Sequence, residues 1–271
     1  GAALAANIRG QARSYRQELC NDWVHYPWGA MQGRIHIGTS GYQYRHWRGP
    51  VYPEKLPQRA WFEYYSRHFD TVEINNTFYR LPEPKTFRHW REAAPEGFVY
   101  ALKVSRYLTH VKYFKDLQQP VQHFLERARL LGDTLGPLLI QLPPHWGLNL
   151  QRLDGLLACL PAGYRWTLEL RHPDWLDDSV FDRLRDAGVG LCLHDLLPDH
   201  PWITTAGWLY LRYHGIDYTH RYSHQYLTAQ AARLARWIAD GTDLYAYFNN
   251  DAAGHAFHNA AQLRRYLQAR L

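Results

Sequence analysis

The feature that most limits what this chain can fold into is a succession of eight short apolar runs between Arg34 and Leu271, each closing on polar or charged residues. Arg34–Ile37 closes on Gly38–Gly41, Thr71–Ile74 on Asn75 and Asn76, Phe98–Leu102 on Lys103, and Leu138–Ile140 on Gln141–Pro144. Trp166–Leu168 closes on Glu169–His172, Val189–Leu193 on His194 and Asp195, Trp208–Leu211 on Arg212–Gly215, and Leu244–Phe248 on Asn249–Asp251. A parallel strand covered on both faces needs apolar residues of both parities, because neither set of side chains reaches water. Such strands alternating with helices imply right-handed βαβ units. Eight units predict an α/β fold, a single (β/α)8 TIM barrel over residues 34–271, with its working groups at the strand ends.

Amphipathic stretches fill the intervals, clearest at Arg59–Phe69, Val121–Leu131, Leu150–Leu160, Ser179–Asp186, Thr228–Ala239 and His255–Leu267. Phe124, Leu125, Ala128 and Leu131, for example, share one helical face. The interval after His194 and Asp195 is different. Pro198 and Pro201 oppose a regular helix there, so a loop or short turn is expected.

Barrels of this class take about 250 residues, so a chain of 271 holds one domain. Residues 1–33 do not fit the barrel and are read as an N-terminal extension; Met31, the single methionine, sits just before the first strand. The Ala-rich opening is interrupted by Arg9 and Arg13 and does not read as a signal peptide. No stretch approaches the roughly 20 apolar residues of a membrane span. Three cysteines, Cys20, Cys159 and Cys192, have neither paired nor metal-type spacing. That sparse, odd count fits a reducing cytoplasm, with Cys159 and Cys192 as ordinary buried thiols.

The net charge of +6 is compatible with nucleic acid or another polyanion, but the arginines are spread without a block of like charge, so charge alone leaves the partner open. The aromatic content, 11 Trp, 20 Tyr and 10 Phe, is more unusual. Trp61, Phe62, Tyr64 and Tyr65 lie in a helical stretch and are expected to fill the shell between barrel and helices. Tyr42, Tyr44, Trp47, Tyr79, Trp146 and Trp175 lie near strand ends and are binding candidates.

Several ordered motifs carry a resemblance. Gly38–Tyr42 followed by Trp47, Tyr52 and Pro53, then Glu73–Tyr79, Lys103, Gln141–Pro144, Glu169–His172 with Trp175, His194 with Asp195, Arg212–Gly215 and Tyr247–Asn250 resemble the YecE-like family, domain of unknown function 72. The resemblance runs from Ile35 to about Leu267 and implies a TIM barrel, without an established reaction to carry over. Its barrel is similar to those of the endonuclease IV and xylose isomerase group, which suggests nucleic acid or sugar phosphate. Fold does not fix function, so the site has to be argued from its own residues.

Side chains alternate along a barrel strand between the interior and the helix layer. If Glu73 faces inward, Asn75 does too, and the same period couples Glu169 with Arg171, Arg212 with His214, and Tyr247 with Asn249. Lys103, Gln141 and His194 occupy corresponding strand ends. The expected ring therefore holds Glu73, Lys103, Glu169, Arg171, His194, Arg212 and His214, with Gln141 and Asn249 as neutral members. So many buried charges need either mutual pairing or a ligand; a Glu169 to Lys103 pair is the purely structural alternative. Two carboxylates against Lys103, Arg171 and Arg212 leave one positive charge in excess, so an anionic small-molecule substrate is expected. Its phosphate or carboxylate is expected near the last two strands, at Arg212, His214, Asn249, Asn250 and Gly254.

Glu73 and Glu169 are candidate general bases, His194 and His214 candidate proton shuttles, and Lys103 a candidate oxyanion stabiliser or imine former. Ser40, Tyr42, Asn75, Gln141, Arg171, Asp195, Arg212, Asn249 and Asn250 are candidate substrate contacts. No cofactor is expected. A divalent metal is the alternative, because Glu73, Glu169, His194, Asp195, His214 and Asp251 are suitable ligands, although three cations share the rim. His220 with His224 and His255 with His258 have metal-like spacing, for which solvated or capping roles are the simpler reading. Walker, dinucleotide-binding and nucleophile-elbow motifs are missing. Three functions remain: an enzyme of acid–base chemistry or hydrolysis on a phosphorylated or carboxylated substrate, an endonuclease-like protein acting on nucleic acid, and a non-catalytic anion- or partner-binding module.

Overall fold

A computed structural model describes residues 32–215 and 218–271, so the expected N-terminal extension lies outside the described residues except for Gln32 and Gly33. The strands are β1 (Ile35–Thr39), β2 (Thr71–Ile74), β3 (Val99–Lys103), β4 (Leu135–Gln141), β5 (Trp166–Glu169), β6 (Gly190–His194), β7 (Trp208–Tyr213) and β8 (Asp243–Phe248). All pair in parallel, in the order β1-β8-β7-β6-β5-β4-β3-β2. This is the expected eight-stranded barrel.

The seam between β1 and β2 carries a single bridge, Ser40 to Glu73, in place of a ladder. A side chain fills the rest. The Tyr65 hydroxyl accepts from the Thr39 amide at 2.9 Å and donates to the Thr71 carbonyl at 3.0 Å, standing in for missing strand-to-strand bonds. Gly38 makes this approach possible, because a Cβ there would lie 2.4 Å from the Thr71 carbonyl and 2.9 Å from the Tyr65 hydroxyl.

Among the described residues, seven α-helices of six residues or more cover the barrel: α1 (Trp61–Ser66), α2 (Pro84–Ala93), α3 (Gln118–Ala128), α4 (Leu150–Cys159), α5 (Asp178–Asp186), α6 (His224–Ala239) and α7 (His255–Gln268). Their starts follow local chemistry. Pro84 opens α2, and the side chains of Asn149, Asp177 and Ser223 accept the first free amides of α4, α5 and α6. Between β6 and β7 the chain runs through turns without a helix, as Pro198 and Pro201 require.

Strand alternation produces two cores. Outward residues such as Val72, Leu102, Ile140, Leu168, Leu211 and Phe248 pack with Phe87, Phe124, Leu153, Leu184, Leu234 and Leu263 of the helices. Inward residues Ala101, Leu139, Cys192, Trp208, Tyr210, Tyr245 and Tyr247 form a separate plug inside the barrel. Burial raises the thiol pKa of Cys192 well above the usual range, while Cys159 is a half-buried free thiol. The plug forms the floor on which the polar strand ends stand.

Of the strand-end aromatics, Tyr42, Trp47 and Trp175 are buried. Tyr42 packs in the outer core at 5.4 Å from Phe62 and 5.7 Å from Tyr65 and also borders a cavity with Ser40 and Asn75. Tyr79 is 69% exposed and stays available.

Candidate active site

Arg212 occupies the centre of the barrel mouth, 1% exposed. Its Nη2 and Nε donate to Glu73 Oε1 at 2.8 and 3.2 Å, and its Nη1 donates to Glu169 Oε2, to Gln141 Oε1 at 3.4 Å and to His214 Nε2 at 3.2 Å. Glu73 Oε1 also accepts from Ser40 Oγ at 2.6 Å, and Glu73 Oε2 accepts from Tyr210 at 2.6 Å. Burial favours the protonated form of Glu169, but Arg212 and Arg171 outweigh it and hold the carboxyl well below the usual carboxylate range.

This geometry revises several expected roles. Glu73 is fully buried with both oxygens engaged, so it anchors Arg212 rather than serving as a base. Ser40 is spent on Glu73. Each guanidinium nitrogen of Arg212 donates to at least one protein acceptor.

The two ring histidines are also committed. His194 Nε2 donates to the Leu170 carbonyl at 2.7 Å, and its Nδ1 accepts the Leu196 amide at 3.2 Å. His214 Nδ1 donates to Asp195 Oδ1 at 3.2 Å while its Nε2 accepts from Arg212. Burial lowers the pKa of both rings and favours their neutral forms. Neither retains a free nitrogen for proton shuttling. Asp195 further accepts from the amides of His214 at 3.0 Å and Gly215 at 3.3 Å and from the Tyr222 hydroxyl, so it clasps the loop after β7 instead of meeting a substrate.

The expected phosphate cradle beside β7 and β8 is filled by the protein. Gly254, at the start of α7, is buried, and a Cβ there would stand 2.6 Å from Val51 Cγ2. Asn250 is buried and donates to the His220 carbonyl at 2.8 Å and to Asn259 Oδ1 at 3.1 Å. The Asn249 side chain makes no hydrogen bond to the ring; its backbone amide donates to the Tyr213 carbonyl at 2.7 Å. Asn75 Nδ2 donates weakly to the Ser40 carbonyl at 3.3 Å. These residues close loops around the mouth.

The opposite side of the mouth is less occupied. Lys103 ends β3 and is only 7% exposed, yet its Nζ makes no hydrogen bond or ion pair with any described residue. The Glu169 to Lys103 pair is therefore not formed, because Arg171 and Arg212 take Glu169 instead. Thr77 Oγ1 donates to the Lys103 carbonyl at 2.6 Å and pins the helical turn Asn76–Tyr79 against the strand. The pin brings the Phe78 ring to 4.1 Å from Lys103 Nζ. Burial and the Arg212 charge outweigh the two glutamates and lower the Lys103 pKa from 10.5 to about 8.

Arg171 borders this side, bonded to Glu169 Oε1 at 3.0 Å and to the Tyr218 hydroxyl at 3.1 Å, with its side chain 14% exposed. After β3 comes a π-helical turn, Tyr107–Val111, a form that recurs at functional sites. Tyr113, Phe114 and Asp116 beyond it hold left-handed backbone at φ of 47°, 61° and 49°, conformations that cost energy in non-glycine residues. His110 in the turn meets the edge of Phe78 at 5.2 Å. Burial, then Arg106, Lys103 and His145, drives its pKa down to about 4, a sign of how much positive charge gathers here.

Asp195 was left out of the expected charge count, and it alters the balance. Three carboxylates now stand against three cations, but they are unevenly shared: Arg212 bridges Glu73 and Glu169, Arg171 shares Glu169, and Lys103 has none. Sequence reasoning also missed Tyr210, two residues before Arg212 with the same inward parity, and Phe78. The former was legible from strand period; the latter depends on the Thr77 pin. Among the described residues, no three His, Cys, Asp or Glu side chains form a group suited to a metal ion. Both ring glutamates, Glu73 and Glu169, are ion-paired with Arg212.

Fold and site together define an α/β barrel with a buried ion network at the C-terminal strand ends and one unpartnered lysine beside it. The family model described as "Protein of unknown function DUF72" matches residues 36–271, and the chain belongs to this family. It is 31% identical over 144 residues to the UPF0759 protein YecE of Escherichia coli K12, a match covering 51% of this chain and 53% of that protein; the chain thus matches about half the length of this relative. It is 22% identical over 274 residues to the UPF0759 protein YunF of Bacillus subtilis, covering 86% of this chain and 94% of that one. A crystal structure of a DUF72 family protein from Thermotoga maritima superposes with a TM-score of 0.79 at 26% identity, covering 87% of this chain and 99% of that one. A second, from Enterococcus faecalis, gives 0.73 at 18% identity over 86% and 95% of the respective chains. No described helix is long and apolar enough to cross a membrane.

Proposed function

We propose that this protein is an enzyme that binds a small phosphorylated or carboxylated substrate at the Lys103 side of the barrel mouth and acts on it by acid–base chemistry. The observation that carries this reading is a lysine only 7% exposed whose Nζ meets the Phe78 ring and has no hydrogen-bonding or ionic partner among the described residues. An unpaired buried charge is unfavourable, and an anion arriving at Nζ would relieve that cost. Lys103 also exchanges its proton near neutral pH, whereas His194 and His214 are locked in structural bonds. Arg171 supplies a second cation for the substrate, with its Tyr218 contact facing the same mouth.

Calorimetric titration with inorganic phosphate, sulfate and small phosphosugars tests the reading. Losing a charge-assisted hydrogen bond costs about 1.5–3 kcal/mol, so Lys103→Met should weaken anion binding by about tenfold or more. Unchanged affinity in Lys103→Met, or no anion binding by the parent, contradicts it. A second reading, in which the anion is a nucleic-acid phosphate, is supported by the exposed Tyr79 and Tyr107 and by Lys112, whose Nζ lies 5.8 Å from the Tyr107 ring centroid. That reading requires affinity for single-stranded oligonucleotides to fall steeply with salt.

A further inference from the structure

We propose that Lys103 is a covalent nucleophile, forming an imine with an anionic aldehyde or ketone whose phosphate or carboxylate is held beside it. The inference rests on the anion-binding reading above and gives that site a substrate class.

The argument begins with how the ring distributes its carboxylates. Glu73 and Glu169 both stand at the mouth, but Arg212 binds both and Arg171 binds Glu169. A lysine serving as a structural counter-ion would sit on one of these oxygens, and Lys103 sits on neither. Its nitrogen instead faces the Phe78 ring, held there by the Thr77 bond to the Lys103 carbonyl. The ring face attracts an ammonium, but burial of the side chain and the Arg212 charge oppose protonation and outweigh it, which is how a lysine becomes nucleophilic. The lowering of its pKa to about 8 is the expected consequence. At neutral pH a usable fraction is free amine, while arginine side chains nearby stay charged and can hold the substrate's anionic group.

The chemistry balances without a further reagent. The Lys103 nitrogen lone pair attacks the carbonyl carbon, forming a C–N bond as the C=O π pair moves to oxygen. The new ammonium passes a proton to that oxygen, giving a carbinolamine. The hydroxyl takes a further proton from solvent water and leaves as water, while the nitrogen lone pair forms the C=N bond. Where the adjacent carbon carries a hydrogen, the iminium draws electrons from it and eases transfer of that proton to solvent water.

Reductive trapping tests the inference. The chain contains five lysines, and Lys55, Lys85, Lys112 and Lys115 are exposed or half-buried, so each provides an internal reference. The full chain is incubated with glyoxylate, pyruvate or dihydroxyacetone phosphate and sodium cyanoborohydride, then analysed by intact mass and peptide mapping. An imine at Lys103 gives, for at least one of the three, an adduct of the carbonyl compound's mass less one oxygen, at Lys103 and at least tenfold faster than at the other four. Adding excess inorganic phosphate should slow that labelling. Lys103→Arg should still bind inorganic phosphate by calorimetry yet yield no fast adduct. Labelling spread over the exposed lysines without preference for Lys103 would overturn the inference. If inorganic phosphate binds and no Lys103 adduct forms, the covalent step fails while anion binding stands. If neither occurs, both fail.

Discussion

Arg212 and Lys103 are buried cations at the same barrel mouth, and the protein treats them in opposite ways. Arg212 is held between two glutamates, a glutamine and a histidine. Lys103 has the face of Phe78 and no ionic partner. Their contrast separates two uses of buried charge: a saturated network fixes strands relative to one another, and an unsatisfied group waits for a ligand. Glu73 makes the first use concrete, since through Ser40 and Arg212 it ties β1, β2 and β7 together where the seam has only one backbone bridge.

The largest test of this contrast is Arg212→Met. It leaves Glu73 and Glu169 buried without their central cation, and breaking a buried pair typically costs about 3–5 kcal/mol. Urea unfolding should register that loss; a cost under about 1 kcal/mol would show that the network is not structural. Lys103→Met should act in the other direction. Depression of the pKa from 10.5 to about 8 corresponds to a penalty on the order of 3 kcal/mol for keeping the ammonium buried, so the variant should gain stability at neutral pH while losing anion affinity. Loss of both would make Lys103 another structural cation.

Tyr210→Phe gives a finer probe, because it deletes one hydroxyl from Glu73 and little volume. Removing a hydrogen bond to a charged group costs about 1.5–3 kcal/mol. Anion affinity should stay within twofold, and a larger change would mean that the two sides of the mouth are coupled. The smallest effect is in the pH profile. Between about 8 and 10.5 the unfolded chain carries the Lys103 proton and the folded chain does not, so this residue's contribution to stability rises with pH across that window. It is lost as pH falls through 8. The slope in this window should flatten in Lys103→Met, and an unchanged slope would mean that Lys103 titrates normally.

Much of the fold was legible because burial on both faces leaves continuous apolar runs at all eight strands, and because Pro198 and Pro201 mark the helix-free crossing. The inward positions Glu73, Lys103 and Gln141 could be read from the strand period, as could Glu169, His194 and Arg212. Their pairing could not. Strand stagger decides which carboxylate meets Arg212, and that stagger has no local signature. The filled phosphate cradle was equally hidden, since Val51 reaches Gly254 from a loop some two hundred positions earlier in the chain. The burial of Tyr42 was hidden for a related reason: it follows Gly41, whose φ of 100° turns the chain beyond the end of the strand.

The most direct test of the central claim is the protonation of Lys103 itself. Carbon-detected NMR of lysine-labelled protein, assigned by comparison with Lys103→Arg, reports the pKa of its Nζ with and without inorganic phosphate. The account predicts a midpoint near 8 in the free protein, moving upward when phosphate binds because an adjacent anion favours the ammonium. A midpoint at the ordinary lysine value, unmoved by phosphate, would contradict it.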